Sequence, residues 1–157
     1  LDRPAITTDI IVGFPGESDE DFERTMELAK EIGFAKIHVF PFSAREGTAA
    51  ARMQPAVPAE VIKQRASRLR ALDRRGQKKF KEQFIGEQVG VIVEKIDENG
   101  AAKGRCERYF MVNLVPSDQQ NSTNTAFRQI KTGDFLRVTL APDGRGMTAA
   151  EGGFIAG

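Results

Sequence analysis

Residues 8–18 read TDIIVGFPGES, and one helix further on residues 38–49 read HVFPFSAREGTA. The first is a short β-branched run that ends at Gly-Phe-Pro-Gly-Glu, so a strand over 6–12 delivers its carboxyl end into a turn that glycine permits. Between the two motifs the sequence spells a helix. Ser18 is an N-cap, and Asp19, Glu20 and Asp21 load the first turn with the charge that the helix dipole favours. Phe22, Met26, Ala29 and Ile32 form an apolar stripe, and Gly33 is placed to close the helix with Phe34 behind it. A second strand follows over 36–42. A crossover of this length requires a parallel pair. In α/β folds the carboxyl ends of parallel strands are where ligands bind, so the segment reads as a piece of a ligand-binding barrel. Two parallel strands alone leave an open edge and an uncovered apolar face. Residues 1–57 are therefore expected to be marginally stable by themselves, or covered by the next helix or by a second copy.

A chain of 157 residues allows one compact domain or two small ones. No apolar run approaches the ~20 residues that a membrane helix needs. The chain begins Leu-Asp-Arg-Pro, with no initiator Met and no signal peptide, which reads as a piece of a longer protein. Cys106 is the one cysteine. It allows no disulfide framework and no thiolate metal site, and it fits a reducing cytoplasm.

The net charge of +1 conceals a segregation. Residues 1–57 carry six Lys/Arg and ten Asp/Glu, residues 58–85 nine and three, and residues 86–157 eight and nine. The basic middle is one helix over 58–84 with Pro58 at its first position. Ile62, Ala66, Leu69, Leu72, Phe80 and Phe84 mark its apolar side, while Lys63, Arg70, Arg74, Lys78 and Lys81 fall largely off it. Gly76 interrupts the pattern and marks a kink or a close packing contact. Such a helix is a solvated face or a phosphate-facing surface.

Beyond residue 85 the period changes to two. Strands are expected over 89–96, 101–106, 109–115 and 135–140. Turns are expected at Asp97-Glu98-Asn99-Gly100 and Thr132-Gly133-Asp134, and a polar loop over 116–125. Short strands at this spacing point to a small β-barrel.

TDIIVGFPGES, HVFPFSAREGTAAARM, RLRALDRRGQKKF and FIGEQVGVIVE stand in the order found in radical S-adenosylmethionine (SAM) methylthiotransferases. The chain resembles that family, and most of all the type acting on threonylcarbamoyladenosine in tRNA. The resemblance implies the C-terminal part of a TIM-like radical SAM barrel over 1–84, including the basic helix. An OB-like all-β TRAM barrel would follow over 85–157. It implies that Ile11 and Gly13 lie near the adenine of SAM, and that the loop carrying Phe42, Ser43 and Arg45 faces the cofactor. Arg45 would meet a carboxylate or a phosphate through its guanidinium fork. Glu46 stands where the family loop has proline. Glu17 sits one residue late in the family pattern.

Whole enzymes of this family use 4Fe-4S clusters held by several cysteines. With one cysteine this chain is expected to hold no cluster, no retained cofactor and no activity alone. The full enzyme would generate a 5′-deoxyadenosyl radical and add a methylthio group to C2 of a modified adenosine. Its partners would be tRNA and the rest of the parent enzyme, with no membrane. For RNA the candidates are Arg74 and Lys78 on the helix, and Lys103, Arg105, Arg108 and Tyr109 in the β region, with Phe110 as core or stacking residue. His38, alone in its strand, reads as a core or barrel-lining side chain. Two other readings are an RNA-binding module without catalysis and a sibling enzyme that modifies a ribosomal protein.

Overall fold

The computed structural model describes residues 2–98, 101–115 and 130–147. The Asn99-Gly100 part of one expected turn and the polar loop over 116–125 lie outside them. Two compact units result, Leu1–Phe80 and Lys81–Gly157.

In the first unit, β1 (Thr7–Val12) and β2 (Lys36–Pro41) form a parallel pair in the register Thr8 to Ile37 and Val12 to Pro41. The crossover is α1 (Asp19–Ile32). Its start is a full capping box: Ser18 Oγ accepts from the Asp21 amide, and the Asp21 carboxylate accepts from the Ser18 amide. Gly33 ends the helix at φ 69°, donating its amide to the Ala29 carbonyl. A 3-10 turn at Ala50–Arg52 precedes α2 (Ala59–Glu82).

The helix α2 begins one residue later than the sequence suggests. The Pro58 carbonyl accepts from Ile62, so Pro58 is the cap and not the first helical residue. The helix also stops before Phe84, which lies in the turn beyond it. At Gly76 it continues unbroken. A Cβ there would stand 3.0 Å from the Phe34 carbonyl oxygen, so the glycine marks close packing and not a kink. Val12, Phe22, Ala29, Ile37, Ala66 and Leu69 form the buried core, with Ile10, Met26, Val39, Ile62 and Leu72 against it. Both helices thus cover one face of the sheet. On the other face Ile11 and Phe40 stay about half exposed.

The second unit is a closed barrel of β3 (Gln88–Ile96), β4 (Ala102–Cys106), β5 (Met111–Val115), β6 (Phe135–Leu140) and β7 (Arg145–Met147), in the order β3-β4-β5-β7-β6. Four pairings are antiparallel and β5–β7 is parallel, a mixed barrel of the five-stranded Greek-key kind. Val89, Val91 and Val93 point inward with Val112, Leu114, Leu136, Val138 and Leu140. Glycine lets the walls close. A Cβ on Gly104 would lie 2.3 Å from the Ile92 carbonyl oxygen, and one on Gly146 would lie 2.6 Å from Val112.

Candidate functional site

The carboxyl ends of β1 and β2 meet. The Phe42 amide donates to the Val12 carbonyl at 2.8 Å, and the rings of Phe14 and Phe42 pack edge to face with centroids 5.2 Å apart. Ser43 and Arg45 are exposed in the loop beyond, where the Arg45 carbonyl accepts from Thr48. Ile11 presents its side chain on the open face. Ile11, Phe42, Ser43 and Arg45 thus surround one end of the sheet.

Gly13 belongs underneath that end. It is buried at φ 77°, and a Cβ on it would come within 2.3 Å of Ile62. Packing and backbone conformation both demand glycine there.

Glu17 holds the turn. Its Oε2 accepts from the Gly13 amide at 2.7 Å and from an Arg65 amino group at 2.5 Å. Arg65 also donates to the Glu17 carbonyl at 3.0 Å and to Asp19 at 2.7 Å. Its guanidinium carbon lies 5.5 Å from the centroid of the Phe22 ring. Burial works against the Arg65 charge, but the hydrogen bonds to Asp19 and Glu17 outweigh it and raise its pKa above the ordinary value. The sequence reading missed Arg65. Its signal was a cation directly beside Ala66 on the apolar stripe.

Charge segregation along the chain is partly an internal pairing. Arg65 answers Glu17 and Asp19, and Arg68 forks onto both oxygens of Glu23. Asp73, also buried and also unanticipated, accepts from Lys36, Gln77 and the Ile37 amide. Lys63, Arg70, Arg74 and Lys78 are exposed. Lys81 is half-buried: its ammonium donates to the Met111 carbonyl at 2.8 Å, and burial lowers its pKa. The exposed His38 corrects the core reading, because β2 turns it away from the covered face.

On the barrel, register aligns Phe135 with Ile92, Ile92 with Arg105, and Arg105 with Met111. Phe135, Ile92 and Met111 are all exposed, a row across four strands of the outer wall. Lys103 and Arg137 flank it, both exposed. Arg105 is already engaged, donating to Glu94 at 2.8 Å and to the Tyr109 carbonyl at 3.1 Å. It thereby holds the β4–β5 turn, where Tyr109 sits at φ 68° with 69% of its surface exposed. Arg108 is half-buried over the Phe84 ring at 5.1 Å, and Phe110 packs on Phe84 at 5.7 Å. Phe135, Ile92 and Arg137 were not singled out in the sequence. Their cue was alternation in the strand, which hides Leu136 and exposes its neighbours.

Cys106 is buried, and burial pushes its thiol pKa up. Among the described residues no group of three or more His, Cys, Asp or Glu side chains could hold a metal ion. None of the described helices is long and apolar enough to cross a membrane.

No family model matches the chain. Individual proteins do. The chain is 47% identical over 95 residues to "Threonylcarbamoyladenosine tRNA methylthiotransferase MtaB" of Chlamydia pneumoniae, covering 60% of this chain and 22% of that protein. The protein of the same name from Thermotoga maritima is 41% identical over 111 residues, 71% of this chain and 26% of its own length. "tRNA-2-methylthio-N(6)-dimethylallyladenosine synthase" of Bacillus mycoides is 45% identical over 119 residues, 74% of this chain and 23% of its own length. The chain therefore spans about a quarter of the curated relatives it matches, and it is a homologue of the tRNA methylthiotransferases over that stretch.

Proposed function

We propose that this chain is the part of a radical SAM tRNA methylthiotransferase that supplies one wall of the SAM site and a surface for tRNA. The sheet supports the first half of this reading. Backbone groups of alternate residues face opposite edges of a strand. The Val12 and Ile6 carbonyls accept across the pair, so Thr7, Asp9 and Ile11 turn their backbone outward from β1. Of the outward residues of β2, Ile37 gives its amide to Asp73 and Pro41 has no N–H, so Val39 alone keeps an outward amide on that strand. A blunted edge suits a last strand and an open edge suits an inner one. This favours a barrel that continues beyond β1 and stops at β2, with residues 1–84 as its end and 85–157 as the TRAM domain.

In that setting Ile11 and Phe42 would offer an apolar wall to the adenine, Ser43 a hydroxyl, and Arg45 a fork for a carboxylate. When bound, SAM supplies the methyl group and the radical chemistry of the family. Gly13 acts from below: its amide and Cα are occupied by Glu17 and Ile62. The residues do not fit an iron–sulfur cluster, because cluster iron needs several thiolates and the one cysteine is buried. Anaerobic reconstitution with iron and sulfide should leave the chain without cluster absorbance. A bound cluster would contradict this.

The exposed row on the barrel wall carries the tRNA reading. Apolar and aromatic side chains in the open, with cations beside them, suit stacked bases and their phosphates. Tyr109 and Phe135 would stack, Lys103 and Arg137 would meet phosphates, and Arg105 would position Tyr109. Unmodified tRNA should bind the chain with an affinity that falls steeply as salt rises. Tyr109→Ala and Phe135→Ala should each weaken it by roughly fivefold to a hundredfold. Absence of binding at low salt would sink the reading.

A further inference from the structure

A second cationic surface lies on the first unit. A groove of about 300 Å³ runs along the outer edge of β2, lined by Lys36, His38, Phe40, Arg70, Asp73 and Arg74 among others. Its one carboxylate is already satisfied. Asp73 accepts from Lys36 Nζ at 2.6 Å, from the Ile37 amide at 2.8 Å and from Gln77 Nε2 at 2.8 Å. Arg70 and Arg74 remain, with no carboxylate partner among the described residues. They stand four residues apart on α2, so they lie on one helix face about 6 Å from each other. That separation is comparable to the spacing of neighbouring phosphates along a strand. Arginine rather than lysine at both positions suits bidentate contact with phosphate oxygens.

We propose that this groove holds the phosphate backbone of a single-stranded stretch of RNA, with Arg70 and Arg74 on consecutive phosphates and His38 on the opposite wall. The inference rests on the tRNA reading and adds a site to it. Lys36 ties down Asp73, the one carboxylate of the groove lining.

The test is fluorescence anisotropy of a short labelled oligouridylate and of unmodified tRNA, across a series of salt concentrations. The double variant Arg70→Gln with Arg74→Gln should bind the oligouridylate about tenfold more weakly, with a salt slope shallower by about 1.4, because each single-strand phosphate contact accounts for about 0.7. Both side chains are exposed, so the thermal melt should not change. The control is Lys63→Gln with Lys79→Gln, which removes the same charge from the same helix outside the groove. An equal loss in the control would reduce the effect to net charge and overturn the groove. Full displacement of the oligouridylate by inorganic phosphate at matched ionic strength would make it a simple anion site and also overturn it. If wild type binds tRNA and the Arg70/Arg74 variant binds both RNAs unchanged, the groove fails and the tRNA reading stands. If wild type binds neither RNA, the tRNA reading itself fails and takes the groove with it.

Discussion

In the barrel every strand pairs with two neighbours, whereas among the described residues β1 and β2 pair only with each other. The two units are correspondingly held by different means. Aliphatic side chains fill the barrel, and glycines at 104 and 146 let its walls touch. The first unit covers one sheet face with helices and leaves the other open. It then fixes the turn after β1 with a part-buried ion pair, Arg65 with Glu17. Closure removes sheet edges altogether, so the barrel needs no partner to be complete. The open unit fixes the turn after β1 through Glu17 and leaves Ile11 and Phe40 about half exposed.

This contrast can be broken by unit-resolved unfolding, followed by amide exchange in β1 and β2 against β3 and β6. The largest effect should come from Arg65→Ala. It removes the cation from Glu17, which keeps only the Gly13 amide, in a site where both side chains are almost covered, at a cost of up to about 3–5 kcal/mol. The loss should fall on β1 and β2 and leave the barrel unchanged. Equal loss in both units would end the comparison.

Leu114→Ala tests the other side. It empties part of the barrel interior and should cost about 2–4 kcal/mol there, with little change in the first unit. Ser18→Ala comes next, at about 1 kcal/mol. It also has a pH signature. Hydrogen bonds from Ser18 hold the Asp21 carboxyl below its ordinary pKa. That stabilisation is present above the unfolded pKa near 4 and is lost as pH falls through the lower folded value. Urea midpoints of the first unit should therefore drop on acidification, and less so in Ser18→Ala.

The smallest effect concerns Cys106. Its folded pKa is raised, so any contribution is present below the unfolded thiol pKa of about 8.5 and fades as pH rises past it. A thiol reagent should react with the native chain only at the rate of barrel opening. Fast reaction in the native state would show an accessible thiol.

Much of this was legible in the residues. Ser18 and Gly33 announced both ends of α1, and alternation over 89–96 and 135–140 announced barrel strands. Long-range polar contacts were not. Nothing near Arg65 in sequence names Glu17, 48 residues away. Asp73 looks like a surface acid until β2 offers it an amide. The strand β7 is three residues long and carries no apolar run, so only its pairing with β5 and β6 reveals it. At the candidate sites, sequence named Tyr109 and Arg105 but could not separate the side chain that is free from the one already bound. It also named Gly13, whose packing under Ile62 only the fold reveals.

The most direct test of the account is residue-resolved. Backbone amide NMR shifts of the labelled chain, followed while unmodified tRNA is added, should move for residues of the outer barrel wall, Ile92, Lys103, Tyr109, Phe135 and Arg137, and along α2 at Arg70 and Arg74. Shifts confined to α1, or no shifts at low salt, would contradict it.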